Sequence, residues 1–254
     1  MNYREKKLII EKIKYKNREI YSPKSNIKLG KLVLDKEYKI MKILKDTKRN
    51  YVAIILIENK KYILKGFRSE VIIPQRKVQT FLKKGEALTT LENGLKAIEN
   101  GINELVKPLV AIIKKKIFIE ESFLIMEYVN GRSLSTEKDI DEVIKITKKI
   151  HNLNKYHGDL NTSNFLMTDN GIKILDTQMK TEKILFFKRG YDLLTLKEDL
   201  LVRKLNYLVE EKYGNFNKDI GYFIARLMKK IKNLKFIKRI KKEKKKLREK
   251  GWRI

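Results

Sequence analysis

Apolar residues change their spacing near the middle of this chain. In the first half they come in short blocks. Tyr51-Val52-Ala53-Ile54-Ile55-Leu56-Ile57 is largely β-branched, Glu58-Asn59-Lys60-Lys61 is polar, and Tyr62-Ile63-Leu64-Lys65 resumes the apolar run. Two such blocks around a short polar break predict a β-hairpin, within a strand-rich stretch over residues 31–67. From Lys83 to about Asn100, Ala87, Leu88, Leu91, Leu95 and Ile98 recur at helical spacing, and Gly101 is a natural stop. Strand-like blocks return at Ile117-Phe118-Ile119 and Phe123-Leu124-Ile125-Met126 and end at Asn130-Gly131. Beyond that point Ile140, Val143, Ile144, Ile146 and Ile150 mark a buried helix over 139–153. A compact loop follows from Tyr156 to Asn164, then two short strands about Asn170-Gly171. Helical spacing fills the remainder. Strands first and helices second predict an α+β protein in two lobes. We divide it into an N-terminal flank at 1–29, a strand-rich lobe at 30–128 and a helical lobe at 129–254.

Composition narrows the chemistry. The 254 residues include no cysteine, which excludes disulfides, thiol nucleophiles and cysteine metal sites. No window approaches the roughly eighteen consecutive apolar residues of a membrane span. The opening apolar run, Leu8-Ile9-Ile10, is too short for a secretory signal, so a cytoplasmic location is expected. Bases outnumber acids by 60 to 31, a formal net charge of +29. Such an excess attracts polyanions. No recognised nucleic-acid motif accompanies it, so the expected partner is not nucleic acid.

The chemical signal lies in His157-Gly158-Asp159-Leu160-Asn161-Thr162-Ser163-Asn164-Phe165, with Ile174-Leu175-Asp176 twelve residues beyond Asn164. Phosphoryl transfer requires a placed metal–nucleotide complex, neutralised charge and an oriented acceptor hydroxyl. Asn164 and Asp176 can supply oxygen ligands to a hard cation. Asp159 can accept the hydroxyl proton. Both histidines, His151 and His157, suit structural roles.

This segment resembles the catalytic loop of protein-kinase-like enzymes, with His157-Gly158-Asp159 in place of His-Arg-Asp and Asp176-Thr177-Gln178 in place of Asp-Phe-Gly. Glycine after the histidine is common among kinases of small molecules, sugars and lipids. The whole pattern is most similar to the lipopolysaccharide core heptose(II) kinase family. The similarity spans roughly residues 30–210 and rests on Asp46-Thr47-Lys48-Arg49-Asn50-Tyr51-Val52, Lys84-Gly85-Glu86-Ala87-Leu88 and the loop ending Asn164-Phe165.

The resemblance implies a bilobal protein-kinase-like fold with ATP and Mg2+ as cofactors. It implies that Lys65 contacts the phosphates and that Glu86 fixes Lys65. Phe123 to Gly131 would form the hinge, with Glu127 and Val129 as backbone contacts to adenine. Asp159 would be the catalytic base, Asn164 and Asp176 the metal ligands, and Asp192 a brace of the catalytic loop. The acceptor implied is a heptose of the core glycolipid, phosphorylated at the inner face of the inner membrane. A kinase of another small molecule or of protein, and a non-catalytic kinase-like binding protein, remain the alternatives.

Two departures stand out. The turn Lys45 to Asn50 contains no glycine, so Lys48 or Arg49 would hold phosphate by side chain. No Ala-Pro-Glu follows Asp176, so the peptide-binding segment of protein kinases is missing. At the other end, Arg226 to Lys250 holds fourteen basic and two acidic residues. Ile220, Phe223, Ile224, Leu227, Ile231, Leu234, Ile237 and Ile240 recur there at three- and four-residue steps. This predicts a basic amphipathic helix that either packs its apolar face on the helical lobe, docks on anionic lipid, or does both.

Overall fold

A computed structural model describes residues 9–177, 179–182, 187–214 and 220–233. They divide into two compact units. One comprises residues up to Gly101 together with Val106–Tyr128, the other Ile102–Leu105 together with residues from Val129 onward.

The first unit is built on a seven-stranded antiparallel sheet. Its elements are β1 (Ile10–Tyr15), β2 (Arg18–Pro23), α1 (Ile27–Leu34), β3 (Lys39–Asp46), β4 (Tyr51–Ile57), β5 (Lys60–Gly66), α2 (Arg68–Ile72), α3 (Pro74–Leu82), α4 (Glu86–Glu99), β6 (Pro108–Lys115) and β7 (Ile119–Glu127). The sheet order is β1-β2-β6-β7-β5-β4-β3. Alternation of side chains gives it two apolar faces. Ile20, Ala53, Ile55, Leu64, Val110, Ile112 and Ile125 form one core cluster with Val33 of α1. On α4, Leu88, Leu91 and Leu95 are buried, and that helix lies against β6 and β7. Each such leucine stabilises the unit by roughly 1.5–3 kcal/mol.

The predicted hairpin is present as β4 and β5, with Glu58 and Asn59 at positive φ in its turn. The region before residue 30 differs from expectation. It is no flank, because β1 and β2 pair with one another and β2 continues onto β6. Their turn, Lys16-Asn17, has φ values of 47° and 60° without the usual glycine. That is why the sequence carries no hairpin signal there. Residues 31–34, expected in the strand-rich stretch, instead end the helix α1, since Leu29, Leu32 and Val33 share a face and Gly30 admits close contact. A Cβ on Gly30 would lie 2.7 Å from Ile20 Cγ2.

The second unit contains α5 (Glu137–Asn152), β8 (Lys155–Tyr156), β9 (Phe165–Thr168), β10 (Gly171–Ile174), β11 (Lys180–Thr181), α6 (Phe187–Lys197), α7 (Leu200–Lys204), α8 (Val209–Tyr213) and α9 (Ile220–Asn233). The α5 helix begins with a capping box, in which Asp139 N donates to Thr136 Oγ1 and Thr136 N donates to Asp139. Arg132 grips the same carboxylate with both terminal nitrogens at 2.8 Å. That guanidinium, with the backbone N–H groups of Ser135 and Thr136, holds the Asp139 pKa far below the carboxylate range despite burial. Ile140, Val143, Ile144, Ile146 and Ile150 are buried, as the spacing predicts.

The α9 helix packs on α6 through small residues. Gly221 and Ala225 are buried, and Gly190 of α6 comes so close that a Cβ there would lie 2.8 Å from Tyr222 Cα. The apolar stripe Ile220, Phe223, Leu227 and Ile231 is exposed. Spacing alone would turn that stripe inward, but close helix–helix approach favours the glycine–alanine face. The basic run beyond Asn233 lies outside the described residues.

Candidate active site

The loop from His157 to Asn164 is held by one buried carboxylate. Asp192, 1% exposed on α6, accepts His157 N at 2.6 Å and Gly158 N at 2.8 Å. His151, on α5, reaches the same Asp192 oxygen with Nε2 at 3.4 Å, and its Nδ1 meets the Tyr213 hydroxyl at 2.8 Å. Burial pushes the His157 pKa down, so the ring is neutral. Asp159 N donates to His157 Nδ1 at 3.4 Å, which leaves the ring proton on Nε2, an atom without a hydrogen-bond partner among the described residues. Gly158 has φ +92°, a conformation that other residues rarely adopt. That is the local reason for glycine at this place in the motif.

Asp159 and Asn164 are in direct contact. Asn164 Nδ2 donates to the Asp159 carbonyl at 2.7 Å and to its Oδ2 at 3.3 Å. With its nitrogen so engaged, the amide presents Oδ1 as an acceptor. Leu175 N donates to the Asn164 carbonyl at 2.9 Å, which sets Asp176, the next residue, beside this pair. Asp159 and Asp176 are both exposed. The backbone thus brings Asp176 back next to the loop that carries Asp159 and Asn164. Among the described residues no cluster of three or more carboxylates or imidazoles forms. A magnesium ion that arrives with nucleotide needs only one or two protein ligands, and this oxygen set suits it.

Two further contacts were not read from the sequence. Asp199, preceding α7, accepts Thr162 N and Thr162 Oγ1, each at 3.0 Å, and so pins the middle of the loop. Thr177 Oγ1 donates to the His157 carbonyl at 2.9 Å and accepts Met179 N at 3.1 Å. The residue in the phenylalanine position of Asp-Phe-Gly therefore ties the two halves of the site together. Gln178 lies outside the described residues.

On the first unit, Lys65 is in β5, opposite Leu124 of β7, with Nζ 5.2 Å from the Phe67 ring centroid. Glu86 opens α4, and its Oε1 accepts from Arg76 Nη1 of α3 at 2.8 Å. Arg76 thus pairs with the carboxylate expected to fix Lys65. Glu70 is the unforeseen acid here. It is 5% exposed and accepts Glu86 N at 2.6 Å, capping α4 from outside the helix. Burial pushes its pKa up, and its Oε2 has no hydrogen-bond partner among the described residues.

Glu127 N donates to the Lys107 carbonyl at 3.0 Å, while Lys107 N donates to Glu127 Oε1 at 2.8 Å. Val129 is the first residue of the second unit after the β7 strand. In the glycine-free turn, Thr47 Oγ1 accepts Arg49 N at 3.3 Å and Asn50 N at 3.0 Å. These N–H groups are consumed within the turn itself.

A strand-rich unit followed by a helical unit that carries this loop defines a protein-kinase-like enzyme. The chain belongs to the family of the lipopolysaccharide core biosynthesis protein WaaY, whose family model matches residues 9–243. It is 25% identical over 236 residues to the lipopolysaccharide core heptose(II) kinase WaaY of Escherichia coli strain K12, covering 89% of this chain and 95% of that protein. A second Escherichia coli protein of the same name is 25% identical over 183 residues, covering 68% of this chain and 79% of its own length. A probable bifunctional tRNA threonylcarbamoyladenosine biosynthesis protein of Methanobrevibacter smithii is 33% identical over 85 residues. That match covers 32% of this chain and only 16% of the archaeal protein.

Proposed function

We propose that this protein transfers the γ-phosphate of ATP to a hydroxyl of a heptose in the lipopolysaccharide inner core. The observation that supports the reading is the contact between Asn164 and Asp159, which sets an amide and a carboxylate side by side on one loop. The names of the two Escherichia coli relatives support the choice of acceptor.

In the proposed reaction Asp159 accepts the proton of the acceptor hydroxyl. The acceptor oxygen bonds to the γ-phosphorus as the bond to the ADP oxygen breaks. Asn164 Oδ1 and Asp176 would hold Mg2+, which would supply charge neutralisation on the phosphates. Lys65 contacts the phosphates. At Glu127 the N–H is already engaged, so adenine is met there by the carbonyl, and at Val129 by the N–H. Lys48 and Arg49 stand in for a glycine-rich phosphate loop. The test is mass spectrometry of the core glycolipid from cells with and without this gene product. The expected difference is one phosphate, located on a heptose. Identical glycolipid masses would reject the acceptor.

The exposed stripe of Ile220, Phe223, Leu227 and Ile231, flanked by Arg226 and Lys230, supports a second element of the proposal. Through α9 the protein sits on an anionic membrane surface, where its acceptor is anchored. Each well-placed basic residue adds up to about 1 kcal/mol, screened by salt. Flotation with liposomes should recover the protein with anionic vesicles at low salt and lose it at high salt. Equal recovery with neutral vesicles would remove the electrostatic part.

A further inference from the structure

The α3 helix is turned inside out. Its apolar residues Val78, Phe81 and Leu82 fall at i, i+3 and i+4 and share one face. An ordinary amphipathic helix buries that face. Here Thr80, on the opposite face, is buried and the rest of α3 is exposed. Thr80 Oγ1 accepts Ile119 N at 3.0 Å. Lys115 Nζ donates to the Thr80 carbonyl at 2.7 Å and to the Phe81 carbonyl at 3.3 Å. These bonds fasten the C-terminal end of α3 to the turn between β6 and β7. The rings of Phe81 and of Phe118 in that turn have centroids 6.4 Å apart. Val78, Phe81, Leu82 and Ile117 are each between 60 and 87% exposed. One apolar patch therefore spans the helix and the turn.

Positive charge rims the patch. Lys77 Nζ lies 6.0 Å from the Phe118 ring centroid. Lys83 and Lys84 follow Leu82, and Lys115 and Lys116 precede Ile117. Glu92 meets Lys84 at 2.8 Å, and Glu120 meets Lys114 at 3.0 Å and Lys116 at 3.7 Å, so the bases stay in excess. That rim selects the occupant. A second copy of the chain would set the same lysines against one another. The basic run beyond Asn233 would add like charge in the same way. A folded acidic partner needs roughly 800 Å² on each side, more than four projecting tips offer. An anionic bilayer needs neither a pocket nor a wide area. Apolar tips enter the headgroup boundary while lysine stems keep their ammonium groups at the phosphates.

We propose that α3 and the β6–β7 turn form a docking surface for an anionic phospholipid bilayer. Phe81, Leu82 and Ile117 enter the headgroup region, and Lys77, Lys83 and Lys116 meet lipid phosphates. This surface belongs to the first unit, whereas α9 belongs to the second. It rests neither on α9 nor on the identity of the acceptor.

A chain without cysteine takes a probe at one chosen place. Leu82→Cys in the full chain is labelled with the environment-sensitive dye nitrobenzoxadiazole. Ser25→Cys, exposed before α1, carries the same dye as the control. Phosphatidylcholine vesicles with and without phosphatidylglycerol are added at low salt. With phosphatidylglycerol the Leu82 probe should shift to the blue, brighten and be quenched by nitroxide-bearing lipid, and high salt should reverse the change. The Ser25 probe should stay as it was. Lys77→Gln together with Lys83→Gln should raise the lipid concentration at half-change about tenfold. A Val78→Cys probe repeats the measurement if the Leu82 variant does not fold. A silent Leu82 probe on protein that floats with the same vesicles overturns the surface and leaves α9 as the membrane contact. A change that grows with protein concentration without lipid assigns the patch to a second copy, and an equal change with polyglutamate assigns it to an acidic polypeptide; either overturns the proposal. The acceptor is read separately, from glycolipid masses, so neither failure is mistaken for the other.

Discussion

Replacing Asp159 with alanine should lower phosphate transfer by about 10²–10⁴-fold, and the protein should still melt within a degree or two of the original. The geometry makes the two effects separable. Asp159 takes part in holding the loop mainly through its backbone, since its carbonyl accepts Asn164 Nδ2 at 2.7 Å and Asn161 N at 2.9 Å. The carboxylate contributes only the longer 3.3 Å contact, and it is exposed. Its removal leaves those backbone bonds in place while deleting the group proposed to take the hydroxyl proton. Single-turnover transfer and a thermal melt on the same preparation test both halves. Near-normal turnover in the variant would take Asp159 out of the mechanism.

Asp192→Ala should do the opposite and damage stability and activity together. Asp192 accepts two backbone N–H groups, at His157 and Gly158, from a position 1% exposed to solvent. Its loss strands a buried donor and removes the partner of His151 Nε2. Stranded donors cost about 1–3 kcal/mol each, so a total near 3 kcal/mol is expected. For a chain of this size that is a fall of roughly 6–12 °C in Tm. Activity should fall below both melting midpoints too, because Asp159 follows Gly158 directly. Asp192→Asn should recover little. Its single amide oxygen can replace one acceptor, but its NH2 group would face a second N–H. A variant that melts normally and turns over normally would show that the loop holds its shape without this brace.

Much of the chemistry was legible because it is local. The stretch from His157 to Asn164 lies within eight residues, and Asp176 returns to it through one short hairpin, β9 and β10. The α5 helix and the β4–β5 hairpin were equally legible, since each has one clear period and a recognisable end. What escaped the sequence depends on distant partners or on unmarked turns. The β1–β2 hairpin turns on Lys16-Asn17, which looks like any other polar pair. Glu86 was expected to hold Lys65 because both lie in the anticipated order, yet order does not exclude a competitor such as Arg76. Asp199 gave no signal at all. It is an ordinary helix cap at α7 that also happens to reach Thr162. On α9 the apolar spacing was legible but which face packs was left open, and Gly221 and Ala225 decide it by allowing a closer approach than large side chains do.

Gly158 carries a consequence for control. In kinases switched by phosphorylation, an arginine at this point links the loop to a modified segment elsewhere in the chain. Here the backbone turns with φ +92°, where an arginine would add strain of about 1–2 kcal/mol to the loop beside the catalytic carboxylate. The turn therefore disfavours an arginine-based link of that kind at this point of the loop.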